Sequence, residues 1–542
     1  MTESRRPDQP PKRLVVVGSG MAATRFVEEL VARQAPERYQ ITVLGDEPVA
    51  PYNRILLSAV LEGTHRPEAL TLRSPEWYDE HGIDLRLGAR VLGVDREHRD
   101  VMLVDGTLVE YDVLVLATGS IPTLPPIRGL VRMDGSLHDA VHAFRSLADC
   151  ERLLEAIAAT DQDGRPVNRR AVVVGGGLLG LQVARALGAR GLDTEIVEGA
   201  EHLLHQQIDT AAGRILARDL KKLGVAVYTG ARAVRLASDG GAPNGTGALT
   251  GAGALGDQGR VRVLDPLPRN PGRVALRLDN GFTLDTDLLV LTAGGRPSTA
   301  LARGAGLEVR RGIVVDDRLA SVTDPSIHAI GDCVETVSAD GQGRTTGFVP
   351  PAWEQAGILA AILTESPGAE RMTYDGTRVV ARLRATDLDV AVLGDAAREV
   401  ADGGEVVEVS NPISGSHRRL VVRDGRIVAA TLVGDLSRVG LITQHFDRQT
   451  VLGPHEPGSL LMPERSGDPN DADSAVRSLP DEVEVCACAG VTAGRVRACS
   501  SLEQVRDTTR ATTGCGGCAS TVRQLLASSP GRTVLATSQK GS

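Results

Sequence analysis

A strand that runs straight into closely spaced glycines and then a helix occurs twice in this 542-residue chain, and that repetition limits the possible folds more than any other feature. Residues 13 to 34 read RLVVVGSGMAATRFVEELVARQ, with ITVLGDEP following; residues 171 to 191 read AVVVGGGLLGLQVARALGARG, with DTEIVEGA following. Each pair of segments is an apolar strand, a glycine turn, an amphipathic helix and a second strand, which predicts two βαβ units with parallel sheets. Aromatic residues make up only 2% of the chain, so the cores must be built from Val, Leu, Ile and Ala.

In the first unit Gly18 permits the tight turn and Gly20 lets the backbone approach a pyrophosphate. Ala23 takes the place of a third glycine where helix meets strand. The N–H groups at the helix start, with the positive end of the helix dipole, then face phosphate. The acids Asp46 and Glu47 close the second strand, where a carboxylate can accept hydrogen bonds from an adenosine ribose; Asp46 is the favoured one of the two. In the second unit Gly175, Gly177 and Gly180 have the full G-x-G-x-x-G spacing, and Glu198 ends the following strand. A carboxylate there binds both ribose hydroxyls of NADH and repels the extra phosphate of NADPH, and no arginine in EGAEHLLHQQ stands ready to receive that phosphate. His202 and His205 lack partners at ligand spacing and read as surface residues.

Two further strands end in small residues: YDVLVLATGSIP, with Thr118 and Gly119, and LLVLTAGGRP, with Gly294. PSIHAIGDC places Asp332 after a glycine. In this order the segments resemble the flavoproteins with two dinucleotide-binding domains, the pyridine nucleotide-disulfide oxidoreductase type. That resemblance implies FAD in the first site, a nicotinamide nucleotide in the second, and Asp332 beside the ribityl chain of the flavin. GDEPVAPYNRILLS is similar to the N-terminal region of bacterial nitrite reductase large subunits and places Arg54 beside the FAD pyrophosphate. Gln182 stands where many relatives carry a glutamate near the nicotinamide. MAATRFVEEL and PYNRILLS hold no cysteine, so the electrons must leave the flavin by a route other than a neighbouring thiol.

Five of the seven cysteines lie between 486 and 518. Cys486 and Cys488 form C-x-C, and 26 residues later Cys515 and Cys518 form C-x-x-C. Four thiolates hold either tetrahedral zinc or an iron-sulfur cluster, and spacing alone does not separate the two. EVCACAGVTAGRV followed by TRATTGCGGCASTVRQLL closely resembles the bacterioferritin-associated-ferredoxin-like (BFD-like) [2Fe-2S] domain of nitrite reductase large subunits, which implies these four cysteines as ligands. Cys150, Cys333 and Cys499 read as packed thiols.

The expected architecture is α/β. It comprises a tail at 1–12, an FAD-binding domain at 13–150 and 299–368, and an NADH-binding domain at 151–298 with a Gly-rich insertion at 238–273. An α+β domain with RDGR-type hairpins follows at 369–462, then a polar linker at 463–482, a small helical [2Fe-2S] domain at 483–528 and a tail at 529–542.

Net charge is −9 with both signs interspersed, which argues against nucleic acid or an anionic membrane as partner. The polar, proline-rich N-terminus and the absence of any long apolar run fit a cytoplasmic protein, where thiols stay reduced. The modules together resemble the electron-transfer subunits of assimilatory nitrate reductases. That implies an oxidoreductase without a side-chain acid or nucleophile, passing electrons from NADH to FAD to [2Fe-2S] and on to a molybdenum-containing catalytic subunit. No cysteine follows Cys518, so a sirohaem portion is not expected and the chain is not expected to reduce nitrite unaided. A separate nitrite reductase, ferredoxin or rubredoxin is the alternative acceptor, and a zinc-bound docking module is the alternative for the cysteines.

Overall fold

The structure, a computed structural model, describes residues 10–238, 274–337, 341, 343–365, 371–385, 388–462, 479–486, 490–512 and 518–527. Nearly all of the expected insertion, most of the linker, the outer part of the N-terminal tail and the whole C-terminal tail therefore lie outside the described residues.

The two glycine-turn segments seed two sheets of the same design. In the first, five parallel strands run in the order Ile327–Ala329, Val113–Leu116, Lys12–Val17, Tyr39–Leu44 and Asp84–Arg86. In the second, also parallel, the order is Val225–Thr229, Asp193–Glu198, Arg170–Val174, Leu288–Leu291 and Val141–Ala143. Each unit adds a three-stranded antiparallel sheet, 91–95 with 100–103 and 108–110 in the first, 233–238 with 274–278 and 283–286 in the second. The central strands are continuous aliphatic runs because helices cover both faces: Leu14 to Val17 and Ala171 to Val174 are buried without alternation. On the first sheet, helix Met21–Ala32 packs against helix Val349–Thr364 through Phe26, Val27, Leu30, Ala356, Leu359 and Ala360.

Strand Val141–Ala143 pairs with Leu288–Leu291, so the second sheet takes in residues ahead of the expected boundary at 151. The short strand carries few signals of its own, and only its partner 148 residues further on identifies it.

The chain passes from the first unit to the second and back as two antiparallel strands, Ser120–Pro122 and Gly295–Pro297. The Ser298 N–H meets the Gly119 carbonyl at 2.9 Å and the Thr118 hydroxyl donates to the Ser298 carbonyl at 2.7 Å.

Residues 380–433 form a five-stranded antiparallel sheet in the order Val380–Ala385, Leu388–Leu393, Arg426–Val433, Ser416–Arg423 and Glu405–Asn411. The alternation of a strand decides its packing: Leu388, Val390 and Val392 join the core of the second unit, while Ala391 and Leu393 face Ile442 and Phe446 of helix Val439–Arg448. Its RDGR turn is a two-residue hairpin with Asp424 and Gly425 both left-handed, at φ 50° and 69°.

The C-terminal module has a core of its own, in which Cys486, Val491, Val496, Val505, Cys518, Val522 and Leu525 meet. Strands Glu484–Cys486 and Val491–Thr492 and helices Ala493–Arg497, Leu502–Thr509 and Ala519–Ala527 build it. Among the described residues no helix is long and apolar enough to cross a membrane.

Candidate functional site

The first glycine turn is shaped by close approach of backbone to backbone. Gly18 has φ +111°, and a Cβ there would overlap the Ala117 carbonyl at the end of the neighbouring strand, so only glycine fits. Gly20 differs. It caps helix Met21–Ala32 without a side-chain hydrogen bond, and nothing lies within 4 Å of the place its Cβ would take. The site therefore offers an open backbone surface at a helix N-terminus, which fits a pyrophosphate. Ala23 is buried where helix meets sheet.

Asp332 reaches this turn from the far end of the unit. Gly331 has φ +81°, its N–H donates to the buried Gln355 Oε1 at 2.8 Å, and a Cβ on it would stand 3.0 Å from the Ala22 methyl. Asp332 Oδ2 accepts from Ser120 Oγ at 2.9 Å and from Arg145 Nη2 at 3.0 Å; Arg145 also donates to the Ser120 carbonyl at 3.2 Å. Arg145 and Ser120 carried no signal in the sequence, because an arginine between two short elements looks like any surface arginine.

The acids after the second strand part company. The Asp46 side chain is 70% exposed, with Arg90 at 3.9 Å. Glu47 is half-buried, accepts from Tyr52 Oη at 2.8 Å and pairs with Arg54. Arg54 stacks over the Tyr52 ring at 4.9 Å and reaches the Arg145 carbonyl at 3.4 Å. Burial pushes the Tyr52 phenol well above its ordinary value, so it stays protonated and donates to Glu47 while accepting from the Leu147 N–H at 2.9 Å. Thr118 and Gly119, at φ +65°, lie where the chain leaves the sheet beside this network.

The second turn repeats the first. A Cβ on Gly175 would stand 2.6 Å from the Thr292 carbonyl, and one on Gly180 would overlap the Gly175 carbonyl. Gly177 caps helix Leu178–Ala189 and, like Gly20, faces nothing within 4 Å. Glu198 accepts from the Gly176 N–H at 2.7 Å and the Ala200 N–H at 2.9 Å, which fixes its carboxylate beside the turn. Gly294, at φ +87°, lies between strands Leu288–Leu291 and Gly295–Pro297. His205, expected as a surface residue, is half-exposed with its Nδ1 at 3.8 Å from Glu198, while His202 is half-buried against Gly213.

The three thiols not expected as ligands are packed as expected. Cys150 and Cys333 are buried with their thiols against the Leu57 and Ile330 carbonyls, and burial raises both, Cys150 to about 11. Cys499 packs against the Arg495 carbonyl. Cys488 and Cys515 lie outside the described residues. Cys486 and Cys518 share one core, the Thr512 N–H donates to Cys518 Sγ at 3.2 Å, and helix Ala519–Ala527 begins immediately after it. A backbone donor and a helix N-terminus aimed at a sulfur suit a thiolate ligand of a cluster. Among the described residues no group of three or more His, Cys, Asp or Glu is placed to hold a metal ion.

Residues 12–356 match the family model described as pyridine nucleotide-disulphide oxidoreductase, and residues 484–528 match that of the BFD-like [2Fe-2S] binding domain. Over 537 residues the chain is 31% identical to the nitrite reductase [NAD(P)H] of Bacillus subtilis, covering 98% of this chain and 59% of that one. It is 29% identical over 521 residues to the assimilatory nitrate reductase electron transfer subunit of the same organism, covering 95% of this chain and 59% of that one. Thus it spans less than two thirds of either relative's length. The crystal structure of a ferredoxin reductase for the CYP199A2 system from Rhodopseudomonas palustris superposes with a TM-score of 0.66 at 25% identity, over 85% of this chain and 99% of that one.

Proposed function

Because the chain belongs to the pyridine nucleotide-disulphide oxidoreductase family and carries a BFD-like [2Fe-2S] domain, we propose that it takes electrons from NADH and delivers them singly to the catalytic subunit of an assimilatory nitrate reductase. The observation that carries this reading is the pairing, in one chain, of two open glycine cradles with a buried pair of cysteines, Cys486 and Cys518, in a separate module. FAD held in the first cradle would supply hydride acceptance from NADH and one-electron release to a [2Fe-2S] cluster held by the cysteines.

The chain's own residues bind, orient and exclude. Gly18, Gly20 and Ala23 leave room for the FAD pyrophosphate, with Arg54 near it, while Asp46 or Glu47 faces the ribose. Thr118, Gly119 and Asp332 line the flavin side, with Asp332 oriented by Ser120 and Arg145. Gly175, Gly177 and Gly180 receive the nicotinamide nucleotide, Glu198 its ribose and Gly294 its far side. Cys486, Cys488, Cys515 and Cys518 hold the cluster. The buried, raised thiols of Cys150 and Cys333 take no part.

The domain limits of the sequence reading are kept in this proposal, with the second unit enlarged to include Val141–Ala143. The reaction belongs in the cytoplasm.

The test is an absorption spectrum of anaerobically purified protein before and after NADH, with iron, sulfide and zinc assayed on the same sample. Flavin bands that bleach over an iron-sulfur background with about two irons per chain support the relay. One zinc and no iron would leave hydride transfer to the flavin but remove the one-electron exit. Cys518→Ser is expected to retain NADH-driven bleaching and lose transfer to a one-electron protein acceptor. Reduction of purified nitrate reductase catalytic subunit, set against nitrite reductase, ferredoxin and rubredoxin, decides the acceptor.

A further inference from the structure

The C-terminal module shares no apolar cluster with the rest of the chain among the described residues, yet it is in contact with the first unit. The contact is ionic and buried. Glu28, on helix Met21–Ala32, pairs with Arg73 at 2.8 Å and also with Arg510 of the module. The Glu28 and Arg510 side chains are 9% and 10% exposed. Arg25, one turn before Glu28, lies over the Trp353 ring at 5.6 Å and adds its charge to the surroundings of Arg510. Burial first, and Arg25 second, bring the Arg510 guanidinium down to about 10, which leaves it protonated at neutral pH. Around this pair the charges of the two surfaces meet again: Asp507 opposes the burial-driven lowering of Arg73, and Arg506 and Arg523 add to the burial that lowers His65.

Both ends of the pair are tied to cofactor positions. Glu28 lies eight residues beyond Gly20 on one helix, about 12 Å along its axis. Arg510 has φ +64° and turns the chain out of helix Leu502–Thr509 into the segment whose Thr512 N–H donates to Cys518 Sγ. Arg506 holds Thr512 Oγ1 at 3.1 Å, so this segment is braced on both sides.

We propose that the Glu28–Arg510 ion pair is a latch that docks the cluster module on the helix whose N-terminus faces the FAD pyrophosphate, and so sets the distance over which electrons pass from flavin to cluster. The proposal rests on the electron route given above. Glu28 and Arg510 are positioning residues: neither touches a reacting atom, and each acts by holding the other's module in place. Loss of Glu28 takes a carboxylate away from the buried Arg510, which is strongly unfavourable, while loss of Arg510 leaves Glu28 with Arg73, so either loss removes the tie between the two modules.

The experiment uses the full chain as wild type, Glu28→Gln, Arg510→Gln and the double variant Glu28→Gln with Arg510→Gln, each assayed for iron. Rapid mixing with NADH follows flavin bleaching and cluster reduction separately. Flavin reduction and iron content are expected to match wild type, while cluster reduction slows by about tenfold or more in both single variants, as a small misplacement of a reacting group demands. The double variant is expected to lose no more than the slower single variant, because both changes break one contact. In the cofactor-free protein, amide exchange over 502–512 is expected to rise in Glu28→Gln, a change no flavin or cluster contributes to. Cluster reduction within about twofold of wild type in Glu28→Gln overturns the latch. If wild type holds no iron, the electron route fails instead, and amide exchange alone decides the docking: a rise upholds it and no change overturns it.

Discussion

Ser120 and Asp332 stand 212 residues apart in the chain and share a hydrogen bond of 2.9 Å, with Arg145 closing the group from a third direction. Removing the Asp332 charge would take away the proposed flavin contact and leave Arg145 facing an amide. Asp332→Asn is expected to raise the FAD dissociation constant by about ten- to a hundredfold, since a hydrogen bond to a charged group contributes about 1.5–3 kcal/mol. Arg145→Met is expected to weaken FAD less, because Ser120 still orients the carboxylate. Calorimetric titration of FAD into apoprotein measures both, and wild-type affinity in Asp332→Asn would take that residue out of the site.

The two glycines of the first turn are expected to fail differently. Gly18→Ala places a methyl on the Ala117 carbonyl in a left-handed backbone, and should cost about 2 kcal/mol or more of apoprotein stability. Gly20→Ala meets nothing in the protein, so urea unfolding of the apoprotein should shift by no more than about 0.5 kcal/mol. FAD content should nevertheless fall in that variant. A stable Gly20→Ala protein with full FAD would mean the pyrophosphate lies elsewhere.

Glu198→Arg is expected to raise the ratio of kcat/KM for NADPH over NADH by about tenfold or more, about 1.4 kcal/mol. Because Glu198 also accepts from the Gly176 and Ala200 N–H groups, one on each carboxylate oxygen, the variant should be less stable as well, and Glu198→Gln, whose single carbonyl oxygen keeps one of those two bonds, is the milder control. An unchanged ratio would sink the ribose assignment.

Acid should loosen the join between the second unit and the antiparallel sheet. Asp209 opens helix Thr210–Lys222 and is partly buried, which by itself raises a carboxyl. Hydrogen bonds from His417 at 3.0 Å, the Ala212 N–H at 3.0 Å and Arg419 at 3.3 Å outweigh burial and hold it well below the ordinary range. A depressed folded-state value means the stabilisation is complete above the unfolded carboxyl's value of about 3.9 and is lost as pH falls through the lower folded value. Asp209→Asn should therefore cost about 2 kcal/mol at pH 7 and progressively less on acidification. Urea unfolding across that range checks it; a cost independent of pH would place the effect in packing instead.

What the sequence made legible was what a local segment decides for itself. A left-handed glycine pressed against a neighbouring strand leaves its mark as VVVGSG, and an Asp-Gly between β-branched runs leaves its mark as RDGR, because no other residues take those conformations cheaply. Asp332 was readable through the segment around it, whereas its partners Ser120 and Arg145 were not, since nothing local says that residues 120, 145 and 332 converge. The same limit hid strand Val141–Ala143, His205 beside Glu198, and the choice between Asp46 and Glu47. That last contrast, one carboxylate exposed and one held by Tyr52 and Arg54, depends on a loop closing back on itself.

The crossing at Gly119 and Ser298 makes the second unit a cassette. The polypeptide departs and returns through positions joined by a 2.9 Å hydrogen bond, so a splice there needs only a short turn to reconnect the first unit's two halves. A nicotinamide module of different coenzyme preference exchanged at these two seams would have to bring its own counterparts of Ser120 and Arg145, which reach out of the cassette to Asp332 in the flavin half. An ancestral chain could have acquired its reductant by such a single insertion.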